Sequence, residues 1–179
     1  MNVWANTVIT DKGLSLLAKL TQGHTLQITE AVTGSGFVTP GLLHKQTEVT
    51  DPKQPLNLRP ATYPEIGKCQ LSMALTSEGL TEGYKANQVG VYAIDPDEGK
   101  ILFFIAQAVD EASGTIIPSE TEMDGYSAEW IFYFQYGQAD GVEVTVDPTN
   151  TVSRGEMIAY VNGAIVPITT EEIDAILAQ

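Results

Sequence analysis

Alternation of apolar and polar residues at every second position is the feature that most constrains how this chain can fold. It runs through "KCQLSMALTS" at residues 68–77, "AEWIFYFQYG" at residues 128–137 and "GVEVTVD" at residues 141–147. Side chains of a β-strand point alternately to opposite faces, so a period of two is typical of strands with one buried face. The pattern predicts a mainly β fold, built as an antiparallel sheet or a sandwich.

Another stretch, "KILFFIAQA" at residues 100–108, is apolar on both faces. Such a run predicts a central strand that is covered on two sides, and we expect the opening helix of the chain to provide the second cover. Between this run and the preceding "VGVYAI" lies "DPDEGK" at residues 95–100. Its Asp, Pro and Gly residues predict a tight hairpin connection.

The opening stretch "ANTVITDKGLSLLAKLTQG", residues 5–23, predicts an amphipathic helix. Thr10 or Asp11 can cap its first turn, because a side-chain oxygen at that position accepts a hydrogen bond from an unpaired backbone amide. Gly23 is expected to end the helix in the left-handed conformation. The apolar stripe of this helix is predicted to consist of Leu14, Leu16, Leu17 and Leu20.

The run from Gly34 to Gly67 departs from the strand pattern. It contains five prolines and shows no sustained periodicity. It therefore predicts a long irregular loop, a type of segment that often serves as a contact surface.

The C-terminal region turns to a helical pattern. Ser153 with Glu156 and Thr169 with Glu172 have the spacing of capping boxes. The last eleven residues place three apolar side chains on one stripe, and a helix of that length is too short to be stable alone in water. We expect it to dock on the head of the protein or on a partner. The stripe consists of Ile173, Ile176 and Leu177.

The fold class predicted from these patterns is mainly β within the α+β type. A head over residues 1–150 carries one N-terminal helix, and a short helical tail follows over residues 151–179. A chain of 179 residues is long enough to bury a sizeable core without other support.

The charge balance narrows the possible partners. The 23 acidic residues outnumber the 9 basic ones, which gives a formal net charge of -14. Such a surface repels phosphates and anionic lipid headgroups, so we expect neither nucleic-acid binding nor membrane binding. The single Cys69 excludes an intrachain disulfide framework. No secretory signal is recognisable at the N-terminus, and the apolar runs fall far short of the roughly 20 residues that span a bilayer.

No stretch of the sequence carries a recognisable catalytic or cofactor-binding motif. The glycine-rich "TGSGFVTPG" lacks the lysine and hydroxyl residue of a phosphate loop, and an ordinary turn explains its glycines. His24, His44 and Cys69 lack the short spacing of a zinc site. The acidic clusters "DPDEG" and "PSETEMDG" lack the calcium-loop pattern and are expected to be solvated turns. We predict no enzymatic activity, no metal and no cofactor.

The aromatic strand "EWIFYFQY" is open to two interpretations. Alternating aromatic residues most often form core on one face. Because Ile131 and Tyr133 occupy the face opposite to Trp130, a neighbouring subunit can also bury the second face. The candidate partner interface therefore comprises Trp130, Ile131, Tyr133, Ile173, Ile176 and Leu177.

The first segment, residues 5–36, resembles the start of the phage tail-collar fibre family. In that family a short "T-x-x-G-x-x-x-x-A" helix leads into a strand and a "G-x-G" turn. The pattern falls here on Thr10, Gly13, Ala18, Gly34 and Gly36. Two later segments, "NQVGVYAIDPDEGKILFFIAQA" and "IPSETEMDGYSAEWIFYFQYGQADGVEVTVDP", look like fibre and baseplate-attachment proteins of phages and prophages in Firmicutes. The resemblance covers about the first 150 residues.

The resemblance implies the N-terminal, baseplate-attachment head of a tail fibre. Its partners would be baseplate or other tail-fibre proteins, its assembly a homotrimer and its location the virion tail, after production in the host cytoplasm. Members usually continue into a shaft and a receptor-binding tip, whereas this sequence ends at Gln179. We therefore expect an adaptor to which another fibre attaches, or a truncated or degenerate fibre.

Two alternatives come from other functional classes. A carbohydrate- or cell-surface-binding module would use exposed aromatic side chains such as Trp4, Tyr63 and Trp130. A tail-associated cell-wall hydrolase would need a pair of carboxylates, and the sequence selects no pair.

Overall fold

A computed structural model of the chain describes residues 3–5, 7–20, 24–136, 139 and 141–146. Strands dominate it, which confirms the mainly β prediction. One α-helix, α1 (Asp11–Lys19), and one 3-10 helix (Pro40–Lys45) accompany the strands. The described strands are β1 (Val8–Ile9), β2 (Thr25–Gly34), β3 (Pro52–Pro55), β4 (Asn57–Leu58), β5 (Thr62–Glu65), β6 (Lys68–Thr76), β7 (Tyr84–Ala86), β8 (Gln88–Asp95), β9 (Gly99–Gln107), β10 (Thr115–Ile117), β11 (Ser127–Gln135) and β12 (Gly141–Val144).

The strands form two main sheets. The larger sheet has the order β1-β9-β8-β2-β12, and β3 pairs with the far end of β2. The smaller sheet has the order β11-β6-β4, and β5 also pairs with β6. All of these pairs are antiparallel except that of β12 with β2. A separate two-stranded sheet joins β7 and β10.

Aromatic side chains fill the space between the two main sheets. Phe104 of β9 lies 5.2 Å from Phe132 of β11, between ring centroids, and Phe103 lies 5.6 Å from Phe134. Leucines and valines of both sheets continue the same buried cluster. The fold is therefore a sandwich whose core lies between the inner faces of β9 and β11 and their neighbours.

Strand β9 is buried on both faces, as predicted, but its second cover is not the helix. On that face Leu102 and Ile105 pack with Leu43 and Val49, which come from the segment between β2 and β3. Helix α1 does lie against β9, yet its buried Leu16 joins the core between the sheets. The prediction failed because Leu43 and Val49, which lie more than 50 positions before their partners in β9, cover that face.

The run from Gly34 to Gly67 is not the long irregular loop that we expected. It contains the 3-10 helix and strands β3, β4 and β5, each strand four residues or shorter. Strands this short show too few alternations to be recognised by periodicity. Pro52 and Pro55 lie within β3, which pairs on one side only, so their missing N–H groups leave no ladder position unpaired.

Helix α1 begins where the sequence predicted. The Thr10 hydroxyl oxygen accepts a hydrogen bond of 2.9 Å from the Gly13 backbone N–H, which makes Thr10 the N-cap. The helix ends at Lys19, with Leu20 already extended, and so stops before the predicted Gly23, which lies outside the described residues. Leu14, predicted to belong to the apolar stripe, is 54% exposed. The prediction for Leu14 is wrong because only one narrow side of this short helix faces β9.

The hairpin between β8 and β9 confirms the prediction for residues 95–100. Gly99 has a φ of +78°, a conformation that favours glycine. The Asp95 carboxylate accepts hydrogen bonds from the backbone N–H of Asp97 at 2.8 Å and of Glu98 at 3.2 Å. It also accepts from the Lys19 ammonium at 2.9 Å, so one carboxylate ties the hairpin to the end of α1.

The predicted helical tail over residues 151–179, with both capping boxes, lies outside the described residues. Among the helices that are described, none has the length and apolar character needed to cross a membrane.

Candidate interaction surface

Strand β11 has one buried and one exposed face, as its sequence pattern predicts. Trp130, Phe132 and Phe134 point into the sandwich and are buried. Ile131 is 47% exposed and Tyr133 is 62% exposed on the outer face. Their neighbours across the strand pair are the polar Ser72 and Gln70 of β6, so two large apolar side chains stand out on a polar surface.

The pairing of β11 is one-sided. It pairs with β6 over all nine of its residues without a register shift. On its other side, no residue in the described part of the chain forms a backbone hydrogen bond to it, and it is the outermost strand of its sheet. We use the name "β11 edge" for this unpaired backbone side of Ser127–Gln135 together with the exposed side chains of Ile131 and Tyr133.

The β11 edge lacks the usual protection against strand pairing. Natural sheets guard long edges with proline, lysine, bulges or short strand length. Strand β11 has neither proline nor lysine, its register is regular, and Glu129 is its one charged residue. The other outermost strands among the described residues, β1, β3, β4, β5, β7, β10 and β12, are four residues or shorter. The β11 edge is therefore the longest surface that an added strand could pair with in the described structure.

The predicted interface residues separate in the structure. Ile131 and Tyr133 lie together on the outer face. Trp130 points to the opposite face, where its ring meets that of Trp4 edge to face with 5.9 Å between centroids. It contributes to the core and not to the exposed surface. The other three candidates, Ile173, Ile176 and Leu177, lie outside the described residues.

A groove of about 540 Å³ lies beside the C-terminal half of β11. It is an open groove between β1, the β5–β6 hairpin and the end of β11. Its lining combines the apolar Ile9 and Phe134 with polar and charged groups at the rim. The lining residues are Thr7, Ile9, Pro64, Glu65, Lys68, Tyr133, Phe134 and Gln135.

Two ion pairs lie on the smaller sheet beside the β11 edge. The Lys68 ammonium lies 2.7 Å from the Glu65 carboxylate, and the Arg59 guanidinium lies 3.7 Å from the Glu129 carboxylate. These pairs are partly exposed, so each adds little to stability. Within each pair the two charges offset one another, whereas the acidic segment 118–125 adds negative charge at the N-terminal end of β11.

The acidic segment 118–125 forms a loop next to the N-terminal end of β11. The Glu120 carboxylate accepts a hydrogen bond of 3.1 Å from the Gly79 N–H, which joins this loop to the acidic segment 77–83. The Ser119 backbone N–H and hydroxyl each donate a 2.8 Å bond to Glu122, and this lowers the pKa of the Glu122 carboxyl. Glu122 therefore caps the loop's own backbone, and Glu120 ties the loop to the neighbouring segment.

The glycine-rich segment 33–41 has a structural role that the sequence did not reveal. A Cβ atom at Gly34 would lie 2.6 Å from the Thr50 carbonyl oxygen, and one at Gly36 would lie 2.6 Å from the Thr50 Cβ. The backbone N–H of Ser35 and of Gly36 donate to the carbonyls of Asp51 and Thr50, both at 3.0 Å. The glycines permit close approach of two backbone segments. The N–H groups of Ser35 and Gly36 already donate to backbone carbonyls.

The candidate metal ligands do not meet. Cys69 is buried in the core between the sheets, and burial raises the pKa of its thiol to about 11. His44 lies in the 3-10 helix. The neighbouring Leu43 packs on the face of the larger sheet that points away from the core between the sheets. Within the described residues, no three His, Cys, Asp or Glu side chains are close enough together to hold a metal ion.

The aromatic residues named for glycan binding have other contacts. Trp4 and Trp130 pack against each other, and the Trp4 indole N–H donates to the Thr115 hydroxyl at 3.1 Å. The Tyr63 hydroxyl donates to the Val142 carbonyl at 2.8 Å and accepts from the Val142 N–H at 2.9 Å. These three rings therefore do not form one exposed aromatic platform.

Sequence reasoning missed the unpaired edge itself. It identified β11 and its two faces, but whether a strand has one neighbour or two depends on where distant strands pair. One signal in the sequence was the small number of charges in residues 127–135 of so acidic a chain.

Comparison with known proteins found no match to this chain among protein family models, curated proteins or solved structures.

Proposed function

We propose that this chain is a non-enzymatic structural protein of a phage or prophage tail. In this proposal it is a tail-fibre attachment or baseplate-peripheral module that works through protein–protein contacts in the virion tail. Its partners are baseplate or other tail-fibre proteins. The resemblance of the first segment to the tail-collar fibre family, and of two later segments to phage fibre and baseplate-attachment proteins, supports the choice of this class.

The β11 edge is the observation that supports the proposal most strongly. A long, regular and unprotected strand edge is a liability for a protein that stays alone, because it templates pairing with other chains. For a protein that is built into an assembly, the same edge is a docking surface, since added strands gain main-chain hydrogen bonds. The exposed Ile131 and Tyr133 add apolar contact area beside it.

The charge distribution supports a protein partner. The net charge of -14 opposes binding to nucleic acid or anionic membranes. Beside the β11 edge the cations Lys68 and Arg59 face the carboxylates of Glu65 and Glu129, so these charges offset one another, and negative charge is concentrated at the N-terminal end of β11 in segment 118–125.

The test is the composition of purified tail particles. Particles encoded by the genome that carries this gene are purified after induction and analysed by mass spectrometry, with a known baseplate protein as positive marker and an abundant cytoplasmic host protein as negative marker. We expect this chain at a constant ratio to the baseplate protein. If it is found only with the cytoplasmic marker, the proposal is wrong.

A further inference from the structure

We propose that the β11 edge binds the β11 edge of a second copy of this chain, in antiparallel orientation about a two-fold axis. The pairing would join the two four-stranded sheets into one sheet of eight strands. This names a second copy of this chain as the partner at the surface that the proposed function uses, and its argument and its test do not depend on a phage tail. The two proposals can therefore fail separately.

The backbone of β11 supports this pairing. All nine residues of β11 are extended and in regular register with β6, so its free side is straight enough to accept a strand of equal length. Two such edges exchange about eight hydrogen bonds when they pair over their full length. In the described structure these groups of β11 have no protein partner on that side.

Outward side chains select the register. With the axis at Phe132, each Ile131 lies opposite the Tyr133 of the second copy, and each Glu129 lies opposite a Gln135. Aromatic and β-branched residues in opposite positions stabilise antiparallel strands, whereas like charges in opposite positions destabilise them. A two-fold axis perpendicular to the sheet keeps both outer faces on the same side, so the two Ile131–Tyr133 pairs form one apolar strip.

The acidic loops explain why the orientation is antiparallel. Segment 118–125 adjoins the N-terminal end of β11, and parallel pairing would bring the two copies of this acidic loop side by side. Antiparallel pairing separates them by the length of the strand, about 30 Å, which exceeds the Debye length of about 8 Å at physiological ionic strength. Each loop then lies near the end of the partner strand where Lys68, the registered neighbour of Gln135, is paired with Glu65, so the loop meets a balanced pair of charges there and not a second acidic loop.

Global charge opposes the pairing and makes it sensitive to salt. Two chains together carry a formal charge of -28, twice -14. Screening by salt weakens this repulsion, so the dimer should tighten as ionic strength rises. The two-fold assembly differs from the homotrimer that the family resemblance implies, and a measured mass separates the two.

The experiment measures the mass of the full chain by sedimentation equilibrium over a range of concentrations at low and moderate ionic strength. We expect a monomer–dimer equilibrium. Ile131→Lys, Ile131→Glu and Tyr133→Lys should each raise the dimer dissociation constant by roughly tenfold or more, because each puts a charge in the apolar strip. Leu42→Lys is the matched control, since Leu42 is 52% exposed in the 3-10 helix, which packs on the face of the larger sheet that points away from β11. This control substitution should not raise the dimer dissociation constant.

Hydrogen exchange gives a second measurement that reports on strand pairing itself. Amides in residues 127–135 should exchange more slowly at protein concentrations where the dimer forms, and this slowing should be absent in Ile131→Lys. Thermal unfolding of each variant checks that it is folded, and the substituted side chains are exposed in the monomer.

Several outcomes would overturn the inference. They are a monomer at every concentration and ionic strength, a trimer in place of a dimer, and association without slower exchange in β11. A fourth is a dimer that Ile131→Lys strengthens while Ile131→Glu weakens it, since that result would show that net charge alone controls association.

Discussion

The buried side-chain amide of Gln88 donates a hydrogen bond of 2.7 Å to the side-chain carbonyl of Gln107, its registered neighbour across β8 and β9. The Gln107 amide in turn donates to the Val38 carbonyl at 2.8 Å, and its carbonyl accepts from the Val38 N–H at 3.0 Å. Gln88 accepts from the Thr50 N–H at 2.7 Å. Two glutamines therefore hold the segment between β2 and β3 against the outer face of the larger sheet.

Replacement of Gln107 by leucine should destabilise the protein. Gln107→Leu removes both bonds to Val38 and leaves the Gln88 amide without this acceptor. A buried polar group that loses its partner costs roughly 1 to 3 kcal/mol, so we expect the free energy of unfolding to fall by about 2 kcal/mol or more. Urea denaturation measures it.

Gln27→Leu is the matched control for this prediction, because Gln27 is exposed on β2. We expect it to change the free energy of unfolding by no more than about 0.5 kcal/mol. Equal effects of the two substitutions would show that the glutamine pair does not anchor the segment.

Substitution of Gly13 tests the close contact between α1 and β9. A Cβ atom there would lie 2.1 Å from the Phe103 carbonyl oxygen, a backbone atom that cannot rotate away. Overpacking of this kind costs typically about 1 to 3 kcal/mol, so Gly13→Ala should lower the melting temperature clearly even though alanine favours helices.

The control for the glycine prediction is Gly41→Ala. A Cβ atom at Gly41, in the 3-10 helix, meets nothing within 4 Å. Its melting temperature should match that of the unsubstituted protein. A Gly13→Ala protein as stable as Gly41→Ala would contradict the packing of α1 on β9.

Acid should weaken the tie between Lys19 and Asp95. The hydrogen bond from Lys19 is the main cause that lowers the pKa of the Asp95 carboxyl, and the backbone N–H groups of Asp97 and Glu98 add to it. A carboxyl with a lowered folded-state pKa stabilises the fold fully above its unfolded pKa of about 3.9, and this contribution is lost as the pH falls through the folded value. Asp95→Asn should therefore reduce the loss of stability below about pH 4.

The measurement for Asp95 is the free energy of unfolding against pH for the unsubstituted protein, Asp95→Asn and the control Glu111→Gln. Glu111 is exposed in the loop after β9. The Asp95→Asn protein should be less stable at pH 7, and its free energy of unfolding should fall less steeply as the pH is lowered into the acid range. Identical slopes for all three proteins would rule out a contribution from this ion pair.

The thiol of Cys69 should be unreactive in the folded protein. Burial raises its pKa to about 11, so about one molecule in a thousand carries a thiolate at pH 8, and the side chain is also shielded by the core. A thiol reagent should label the native protein far more slowly than the protein unfolded in urea. Because Cys69 is the single cysteine, the signal has one source. Equal labelling rates in both states would contradict the burial of β6.

Features that depend on neighbours in the chain were predicted from the sequence. Alternation predicted β6 and β11, the Asp-Pro-Gly composition predicted the turn after β8, and Thr10 was one of two predicted caps. The reason is that side-chain alternation, turn geometry and capping bonds act over a few residues. The resemblance to tail-collar fibre proteins, the homotrimer and the function stay predictions.

Features that depend on distant parts of the chain were not predicted. The sequence showed that β9 needs cover on both faces but not that Leu43 and Val49 provide it. It placed Trp130 on one face of β11 and Ile131 and Tyr133 on the other, and only the packing of the sandwich decided that the first face is buried and the second exposed.

The sequence by itself determined that the chain is mainly β, where β6, β9 and β11 run and which side chains of β11 share a face. Only the tertiary structure decided that β11 is an outermost strand with one side unpaired, because that depends on which strands compete for pairing across long separations in the chain. Alternation sets which way a side chain points, since it follows from backbone geometry. The number of neighbours that a strand has follows from the packing of the whole sandwich.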